Sequence, residues 1–276
     1  MNGNGQPRWV YDILAAQIKQ YQPDILLNQD MGLSGKFLHE MKPYIKLLVG
    51  QHAATRLPES KDWSCYDLVV SSFWPTVEFF RQRSIRSHLS RLGFEQNVLS
   101  CLSQESRSVD IIFVGSFHSV HKGRTEFLEA LCLRFPQLRI WGPGLGSLSS
   151  GSPVRKCYVG QAWGLQMYQL LHKAKIVFNH HGDVAPWANN LRLFEATGVG
   201  ALLVTDWKEN LKEMFEPGKE VIAYRGLEEC AELVSNYLEN EKARASIADA
   251  GQRRTLREHS YYQRMEEFIE IVRKHF

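Results

Sequence analysis

The chain has 276 residues, of which 44% are hydrophobic and 23% are charged, and its formal net charge is +3. This composition is ordinary for a globular protein, and the charge is too small to indicate nucleic acid as the main partner. The five cysteines include no C-x-x-C pair, which argues against a zinc site or a disulfide framework and favours the cytoplasm. The opening residues lack the apolar core of a signal peptide, and no apolar run approaches the roughly 18 residues of a membrane span.

Strands and helices alternate along the first hundred residues. Hydrophobic spacing predicts helices at 9–21, 34–41 and 75–82 and strands at 25–27, 45–49 and 68–70. This alternation predicts a parallel sheet with crossover helices, and ligands of such sheets gather at the carboxyl ends of the strands. The polar residues that follow these strands are therefore expected to line a cleft: Gln29, Asp30, His52, Ser71 and Ser72.

The run 81–91, R-Q-R-S-I-R-S-H-L-S-R, is basic. One interpretation is a surface for an anionic acceptor or a membrane leaflet. We favour a solvated helix and loop, because only one aliphatic side accompanies the charges. Residues 96–108 are polar and lack periodicity, and the sequence therefore predicts an interdomain linker there.

A second strand–helix series begins at Val109. It predicts strands at 111–114, 138–141 and 176–178 and helices at 125–135, 162–172, 227–238, 241–252 and 261–276. The strand at 111–114 runs into G-S-F-H-S-V-H-K-G-R, where Gly115 lets a backbone approach a phosphate. Lys122 and Arg124 are cations in the right place for a diphosphate. His118 and His121 either join them or are ordinary polar loop residues.

The strand at 176–178 runs into Asn179, His180, His181, Gly182 and Asp183. Paired histidines beside an aspartate suggest a metal site, but a third ligand at suitable spacing is absent. We therefore expect this loop to face a bound sugar, and we expect no metal.

The stretch W-A-N-N-L-R-L-F-E-A-T-G-V-G-A-L-L-V-T-D, residues 187–206, organises the rest of the chain. Its first half has helical spacing, Gly198 or Gly200 can supply the positive φ that ends the helix, and 201–205 is a buried strand. Glu195 lies at the border of the apolar side, where a carboxylate needs donors. Ribose hydroxyls are one source, and an ion pair with Arg192 one turn away is the alternative.

The run N-N-L-R-L-F-E-A-T-G-V-G-A-L-L-V-T-D closely resembles the donor-site segment of GT-B glycosyltransferases, especially the CgeB-like, or spore-maturation-type, group 1 domain. The run E-M-F-E-P-G-K-E-V-I-A-Y, residues 213–224, is similar to the family's next block. In this family the glutamate that matches Glu195 holds the nucleotide ribose. Many retaining relatives carry a second glutamate eight positions earlier, where this chain has Trp187, so the sequence leaves open whether the anomeric configuration is retained.

The resemblance implies an α/β fold with two Rossmann-like domains facing each other across a cleft. We expect an abbreviated acceptor-side domain at 1–100, because the strand and glycine-rich turn that usually open it are missing. A donor domain is expected at 101–258. The helix at 259–276 packs back on the first domain in the family, although a plain core helix would give the same pattern.

The resemblance also implies transfer of a sugar, by a hexosyltransferase-like enzyme, from a nucleotide-diphosphate sugar to an acceptor hydroxyl. No D-x-D run occurs, so we expect metal-independent catalysis without a cofactor. The resemblance implies a role in the biosynthesis of cell-surface polysaccharides or glycoconjugates. His52 and Asp30 are the candidate bases. The expected nucleotide site comprises Gly115, Ser116, Lys122, Arg124, Asn190, Arg192, Phe194 and Glu195, and the expected sugar side comprises Asn179, His180 and His181.

The partners expected from the sequence are the nucleotide sugar and a glycan, protein or small-molecule acceptor, with peripheral membrane contact left open. Two other functions are compatible with the same fold. One is a nucleotide-sugar 2-epimerase. The other is a catalytically silent nucleotide-binding module, which the missing front and Trp187 both suggest.

Overall fold

The structure, a computed structural model, describes residues 8–29, 31–53, 57–58, 61–103, 105–117, 122–181 and 186–276, without the side chains of Arg8 and Lys122. The chain divides into two compact units. The first unit comprises Met1–Arg91 and Arg264–Phe276, and the second unit comprises Leu92–Gln263. Each unit is built around its own parallel sheet, which confirms the predicted mixed α/β class with two Rossmann-like domains.

The first unit alternates helices and strands. Its elements are α1 (Arg8–Tyr21), β1 (Ile25–Gln29), α2 (Gly35–Met41), β2 (Leu47–Gln51), β3 (Leu68–Ser71), α3 (Trp74–Arg81) and β4 (Ser87–Leu89). The four strands are parallel and lie in the order β1-β2-β3-β4. Their carboxyl ends therefore share one edge of the sheet.

Side chains that alternate along the strands cover both faces of this sheet. Leu48 and Val69 point into the larger core, which is completed by residues of α1, α2 and α3. Leu47, Val49, Leu68 and Val70 form the opposite face together with Val272 of the last helix. A sheet covered on both sides explains why the strand sequences read as continuous apolar runs.

The second unit contains the remaining elements, in the same alternation. They are β5 (Val109–Val114), α4 (Lys122–Arg134), β6 (Arg139–Trp141), α5 (Val154–Cys157), β7 (Tyr158–Gly160), α6 (Gly164–Lys173), β8 (Ala174–Asn179), α7 (Arg192–Gly198), β9 (Leu202–Asp206), β10 (Ile222–Tyr224), α8 (Leu227–Glu239) and α9 (Glu241–Glu258). A 3₁₀ helix, Gln96–Cys101, begins in the polar segment that the sequence predicts as a linker. The last helix, α10 (Tyr261–Arg273), starts in the second unit and continues in the first.

The six strands of the second unit lie in the order β10-β9-β8-β5-β6-β7, and every pair is parallel. From β5 the chain first adds strands on one side and then returns to add β8, β9 and β10 on the other. The order therefore reverses between β5 and β8. In open parallel sheets, ligands bind outside the carboxyl ends of the strands at such a switch point.

Helix α7 lies over this sheet and is almost wholly buried. Leu193, Phe194 and Ala196 belong to the core that covers one face of β5, β8 and β9. Gly200, with φ +75°, follows the helix, which agrees with the positive φ expected at Gly198 or Gly200. Gly198 itself lies inside the helix, where an added Cβ would meet the ring of Phe94 at 2.5 Å.

The structure corrects the sequence interpretation at the two outer strands β4 and β7. The run 81–91 is the end of α3, a turn and the strand β4, in which Ser87 is buried, rather than a solvated helix and loop. The sequence also misses β7, which pairs with β6 at the far edge of the second sheet. None of the helices in the described part of the chain has both the length and the apolarity to cross a membrane.

Candidate functional site

The turn after β6 closes tightly over the end of β5. Gly142 has φ +152°, and a Cβ added to it would lie 1.8 Å from the carbonyl oxygen of Gly115. The Gly115 amide donates a hydrogen bond to the Trp141 carbonyl at 2.9 Å. Only a glycine at position 142 permits this approach of two backbones. The loop that begins at Gly115, which we expect to meet a phosphate, is therefore packed against the turn after β6.

Arg192 and Glu195 form a buried ion pair at the same switch point. Arg192 Nη1 donates to Glu195 Oε2 at 2.6 Å, and the two side chains are only 12% and 8% exposed. Arg192 Nη2 donates to the carbonyl of Val114, the last residue of β5, at 3.2 Å. The ion pair proposed as the alternative for Glu195 is therefore present, but it is buried beside the end of β5.

Only one oxygen of the Glu195 carboxylate is committed to the arginine. Oε1 accepts from the Tyr168 hydroxyl of α6 at 3.5 Å, which is long for a bond from a hydroxyl to a carboxylate. Burial lowers the pKa of Arg192, although the charges of Glu195 and Tyr168 act to raise it. Burial and the Glu195 charge raise the pKa of Tyr168. Oε1 therefore keeps capacity for a stronger donor.

The end of β8 is tied to its neighbours by side-chain amides. Asn179 Nδ2 donates to Thr205 Oγ1 of β9 at 2.9 Å, and Asn179 Oδ1 accepts from Asn190 Nδ2 at 3.1 Å. Asn179 is buried, and Asn190 lies two residues before the start of α7. These bonds place the start of α7 against the end of β8, as the Arg192–Val114 bond places it against β5.

His181 is held by the carboxylate of Asp206, the last residue of β9. Asp206 Oδ1 accepts from the His181 backbone amide at 2.9 Å and lies 2.7 Å from Nδ1 of the ring. Burial raises the pKa of Asp206, but the hydrogen bonds and charge of His181 outweigh this and hold the pKa well below its usual range. His181 is 5% exposed, and its Nε2 is buried without a hydrogen-bond partner in the described structure.

His180, the next residue, lies in an aromatic stack. Its ring packs on Phe127 of α4 with centroids 4.8 Å apart, and Nδ1 lies 2.8 Å from the hydroxyl of Tyr224, the last residue of β10. The Tyr224 hydroxyl also donates to the Asn179 carbonyl at 3.0 Å. Burial is the main cause that lowers the pKa of His180. The imidazole is therefore neutral at physiological pH.

The other predicted nucleotide-site residues differ in where they lie. Arg124 is buried, its guanidinium donates to the backbone and hydroxyl oxygens of Ser116, and it lies over the Phe113 ring. Phe194 is 2% exposed and packs against Phe215 and His259 in the core. The side chain of Lys122, and all of His118 and His121, lie outside the described residues.

The candidate bases belong to the first unit. His52 follows β2, is half-buried, and its amide donates to the Val70 carbonyl at 3.2 Å. Asp30, the other candidate base, and Asp183 of the suggested metal site lie outside the described residues. Within the described ranges, no three His, Cys, Asp or Glu side chains are placed together so that they could hold a metal ion.

Sequence reasoning missed four residues of this cluster: Tyr168, Thr205, Asp206 and Tyr224. Their partners lie 25 to 45 positions away in the chain, so no local spacing reveals them. The available signal for Asp206 was its position, because it directly follows the strand predicted at 201–205, and polar residues there lie at the carboxyl edge of the sheet.

Solved structures with the same fold are glycosyltransferases and related enzymes. HepE from Anabaena in complex with UDP, also solved with UDP-glucose, matches with a TM-score of 0.72 and 15% identity over 96% of this chain and 82% of its own. A glycosyltransferase from Rickettsia africae matches with a TM-score of 0.69 and 13% identity over 100% and 84%. Sucrose-phosphate synthase from Thermosynechococcus elongatus matches with a TM-score of 0.66 and 13% identity over 96% and 77%.

At these identities the structural matches establish the fold alone. No curated protein sequence is significantly similar to the chain. The family model described as glycosyl transferase-like matches residues 124–270, which is more than half of the chain and includes α7, Glu195 and the end of β9. The chain therefore belongs to the glycosyl transferase-like family.

Proposed function

We propose that this glycosyltransferase binds a nucleotide-diphosphate sugar at the carboxyl ends of β5 and β8 and transfers the sugar to an acceptor hydroxyl. The observation that carries the proposal is the buried Arg192–Glu195 pair at the switch point of the second sheet. A buried ion pair is a weak source of stability, because desolvation offsets much of the attraction. Its place where ligands of such sheets bind supports a role in binding.

Glu195 is proposed to hold the ribose. The two ribose hydroxyls are donors, and Oε1, which has only the 3.5 Å contact with Tyr168, is the oxygen that can accept from them. Arg192 holds the carboxylate in place through Oε2 and is anchored in turn to the Val114 carbonyl. The carboxylate is thus oriented before the nucleotide arrives, which lowers the cost of binding.

The leaving diphosphate is proposed to be stabilised without a metal ion, by Lys122, Arg124 and Arg192. Arg124 is fixed against Ser116 in the loop that follows β5, and Arg192 reaches the end of the same strand. Cations held in place before the reaction stabilise the charge that develops on the leaving oxygen. His52 and Asp30 remain our candidates for the base that takes the acceptor proton.

We also propose the finer assignments that the sequence suggests. These are membership of the CgeB-like, spore-maturation-type group, hexosyl transfer, a cytoplasmic location, and a role in making cell-surface polysaccharides or glycoconjugates. They rest on the resemblance of residues 187–206 and 213–224.

The test is a calorimetric titration of UDP, ADP, GDP, CDP and dTDP into wild type and Glu195→Gln. Loss of two charge-assisted hydrogen bonds, roughly 1.5–3 kcal/mol each before compensation, should weaken binding of the preferred nucleotide about 10- to 100-fold. Wild type should also discriminate against the matching 2′-deoxynucleotide, and Glu195→Gln should not.

Glu267→Gln is the matched control. Arg264 and Glu267 form an i,i+3 pair with the same order and the same 2.6 Å distance, but the Glu267 side chain is 52% exposed. An unchanged dissociation constant in a folded Glu195→Gln protein would reject the ribose role. Conversion of the donor sugar in the absence of an acceptor, seen by mass spectrometry, would instead indicate 2-epimerase chemistry. Nucleotide binding without transfer or hydrolysis would indicate a silent module.

A further inference from the structure

The two histidines at the end of β8 have opposite environments although they are adjacent in the chain. Nδ1 of His181 lies next to the carboxylate of Asp206, and Nε2 of the same ring is buried from solvent. His180 is partly exposed, makes no hydrogen bond to a carboxylate of the described residues, and is held by the Tyr224 phenol and an aromatic stack. Neighbouring titratable groups with different surroundings are commonly given different tasks.

The hydrogen bonds of Tyr224 determine which nitrogen of His180 carries the proton. The Asn179 carbonyl can only accept, so the single phenolic hydrogen of Tyr224 is used in the 3.0 Å bond to it. The phenolic oxygen must then accept from His180 Nδ1, which lies 2.8 Å away. A neutral imidazole that donates from Nδ1 carries a lone pair on Nε2, so Nε2 is an acceptor.

The direction of that lone pair is also fixed. The His180 ring is stacked on Phe127 at an interplanar angle of 26° and lies at 17° to the Tyr224 ring. Phe127 and Tyr224 stack on each other with centroids 5.3 Å apart, and both stack on Phe178. A partial rotation of the imidazole would break the stack, and a 180° flip would keep the stack but break the bond to Tyr224. Nε2 makes no hydrogen bond within the described structure.

We propose, on the basis of the function proposed above, that His180 accepts a hydrogen bond from a hydroxyl of the donor sugar through Nε2, and that Tyr224 is the positioning residue that fixes the required tautomer. The diphosphate offers only acceptor oxygens at neutral pH, so an acceptor nitrogen repels it and selects a hydroxyl. Among the described residues, the charged groups that act on His180 are Asp206, Lys208, His181 and Arg124, beside the Tyr224 phenol, and burial outweighs the Asp206 charge in keeping the ring neutral.

The first test reads the tautomer directly, without any ligand. Two-bond ¹H–¹⁵N correlation spectra of labelled wild-type protein should show His180 protonated on Nδ1, with His180→Phe identifying its signals. Tyr224→Phe keeps the stacked ring and removes the hydroxyl, and it should shift His180 toward the Nε2–H tautomer. Tyr158→Phe is the matched control, because it removes a tyrosine hydroxyl that donates to the Gly142 carbonyl at 3.1 Å and makes no hydrogen bond to a described histidine. An Nε2–H tautomer in wild type would overturn the proposal.

The second test measures the contribution of the sugar to binding. The probes are the preferred nucleotide diphosphate, its glucose conjugate, and conjugates with fluorine in place of the 2-, 3-, 4- or 6-hydroxyl. His180→Phe should weaken binding of the glucose conjugate about 10-fold, the worth of one hydrogen bond, and leave the bare nucleotide within about twofold. One fluorinated conjugate should lose the same factor against wild type and nothing further against His180→Phe, because fluorine accepts but cannot donate.

The outcomes separate the inference from the proposed function. Equal effects of His180→Phe on the nucleotide and on its glucose conjugate, or no effect on either, would overturn the inference while nucleotide binding stands. No binding of any nucleotide or conjugate by wild type would overturn both. Tyr224→Phe should reduce discrimination between the glucose conjugate and its fluorinated analogue, and Tyr158→Phe should not.

Discussion

The carboxyl ends of the strands carry different kinds of polar group in the two units. In the second unit, Asn179, Thr205, Asp206 and Tyr224 form a connected set of hydrogen bonds that holds the two histidines. These bonds join different strands to one another. The side chains are therefore fixed in place before any ligand is present, which a binding site requires.

In the first unit, two contacts at the strand ends are of different kinds. Ser71 Oγ accepts from the Phe73 amide at 3.0 Å just before α3, and Asn28 Nδ2 donates to the Tyr66 hydroxyl at 2.6 Å. The Ser71 contact is local, whereas the Asn28–Tyr66 bond joins β1 to the segment just before β3. The second unit therefore holds several side chains of its strand ends in one geometry, whereas Ser71 stabilises the turn that leads into α3 and Asn28 holds the Tyr66 side chain.

The largest expected effect is on stability, and it compares Gly142, which follows β6 in the second unit, with Gly50 of β2 in the first unit. A Cβ at Gly142 would lie 1.8 Å from the Gly115 carbonyl oxygen, which is backbone, whereas a Cβ at Gly50 of β2 would meet the flexible end of Met31 at 2.6 Å. Gly142→Ala should destabilise the protein on the order of 3 kcal/mol or more, from strain and overpacking together. Gly50→Ala should cost about 1 kcal/mol, because a methionine side chain can move.

Urea unfolding measures both changes. Gly146→Ala is the control, since a Cβ there meets nothing within 4 Å, and its stability should stay within about 0.5 kcal/mol of wild type. Equal losses for Gly142→Ala and Gly50→Ala would show that the second unit's strand ends are no more rigid than those of the first.

The next effect concerns activity and the first unit. If His52 is the base, His52→Ala should lower kcat about 100-fold, at the low end of the range for general base catalysis, and leave nucleotide affinity within about twofold. His39→Ala is the control, because that imidazole is exposed and pairs with Asp62 at 2.9 Å. Loss of nucleotide affinity in His52→Ala, or equal activity in both variants, would contradict the division of tasks between the units.

The central strands could be predicted from the sequence, because their side chains are buried on both faces. The runs 111–114 and 176–178 are continuous and apolar, and they correspond to the cores of β5 and β8. The edge strands β4 and β7 could not be predicted in the same way. Each has three residues and one paired side, so backbone pairing places it there without an apolar run.

The candidate site could be predicted only in part. Glu195 and Arg192 are one helical turn apart, so their ion pair could be predicted from the sequence. The burial of the pair could not, because it depends on where α7 packs. The link between His181 and Asp206 depends on the register of β8 and β9, which sequence spacing does not contain. Phe194 stays a predicted nucleotide-site residue, and the structure adds that its side chain belongs to the hydrophobic core, which the helical spacing alone does not establish.

The third prediction concerns Asp206, whose carboxylate holds His181 in the second unit. Asp206→Asn keeps the oxygen that accepts from His181 but removes its charge, and it should destabilise the protein by about 2 kcal/mol at pH 7. The pKa of Asp206 is lowered in the folded state, so the carboxylate's stabilisation is complete above the ordinary aspartate pKa and is lost as the pH falls toward the folded value. The difference in unfolding free energy between wild type and Asp206→Asn should be constant above about pH 5 and shrink below about pH 4. A difference that grew on acidification would contradict the assignment.

The smallest expected effect is at the first unit's buried pair, Asn28 and Tyr66. Tyr66→Phe leaves Asn28 Nδ2 buried without its 2.6 Å acceptor and should cost about 1 kcal/mol. Burial is the main cause that raises the pKa of Tyr66, so the phenol stays protonated and this cost should not change between pH 4 and pH 8. Combining it with Asn28→Leu, which removes both partners, should cost less than the sum of the single changes.

Because the hydrogen bond between Asn28 and Tyr66 lies in the first unit, Tyr66→Phe should leave nucleotide affinity within about twofold, whereas Asp206→Asn should weaken binding of the nucleotide sugar. A larger change in nucleotide affinity for Tyr66→Phe than for Asp206→Asn would reverse the comparison between the two sets of strand ends.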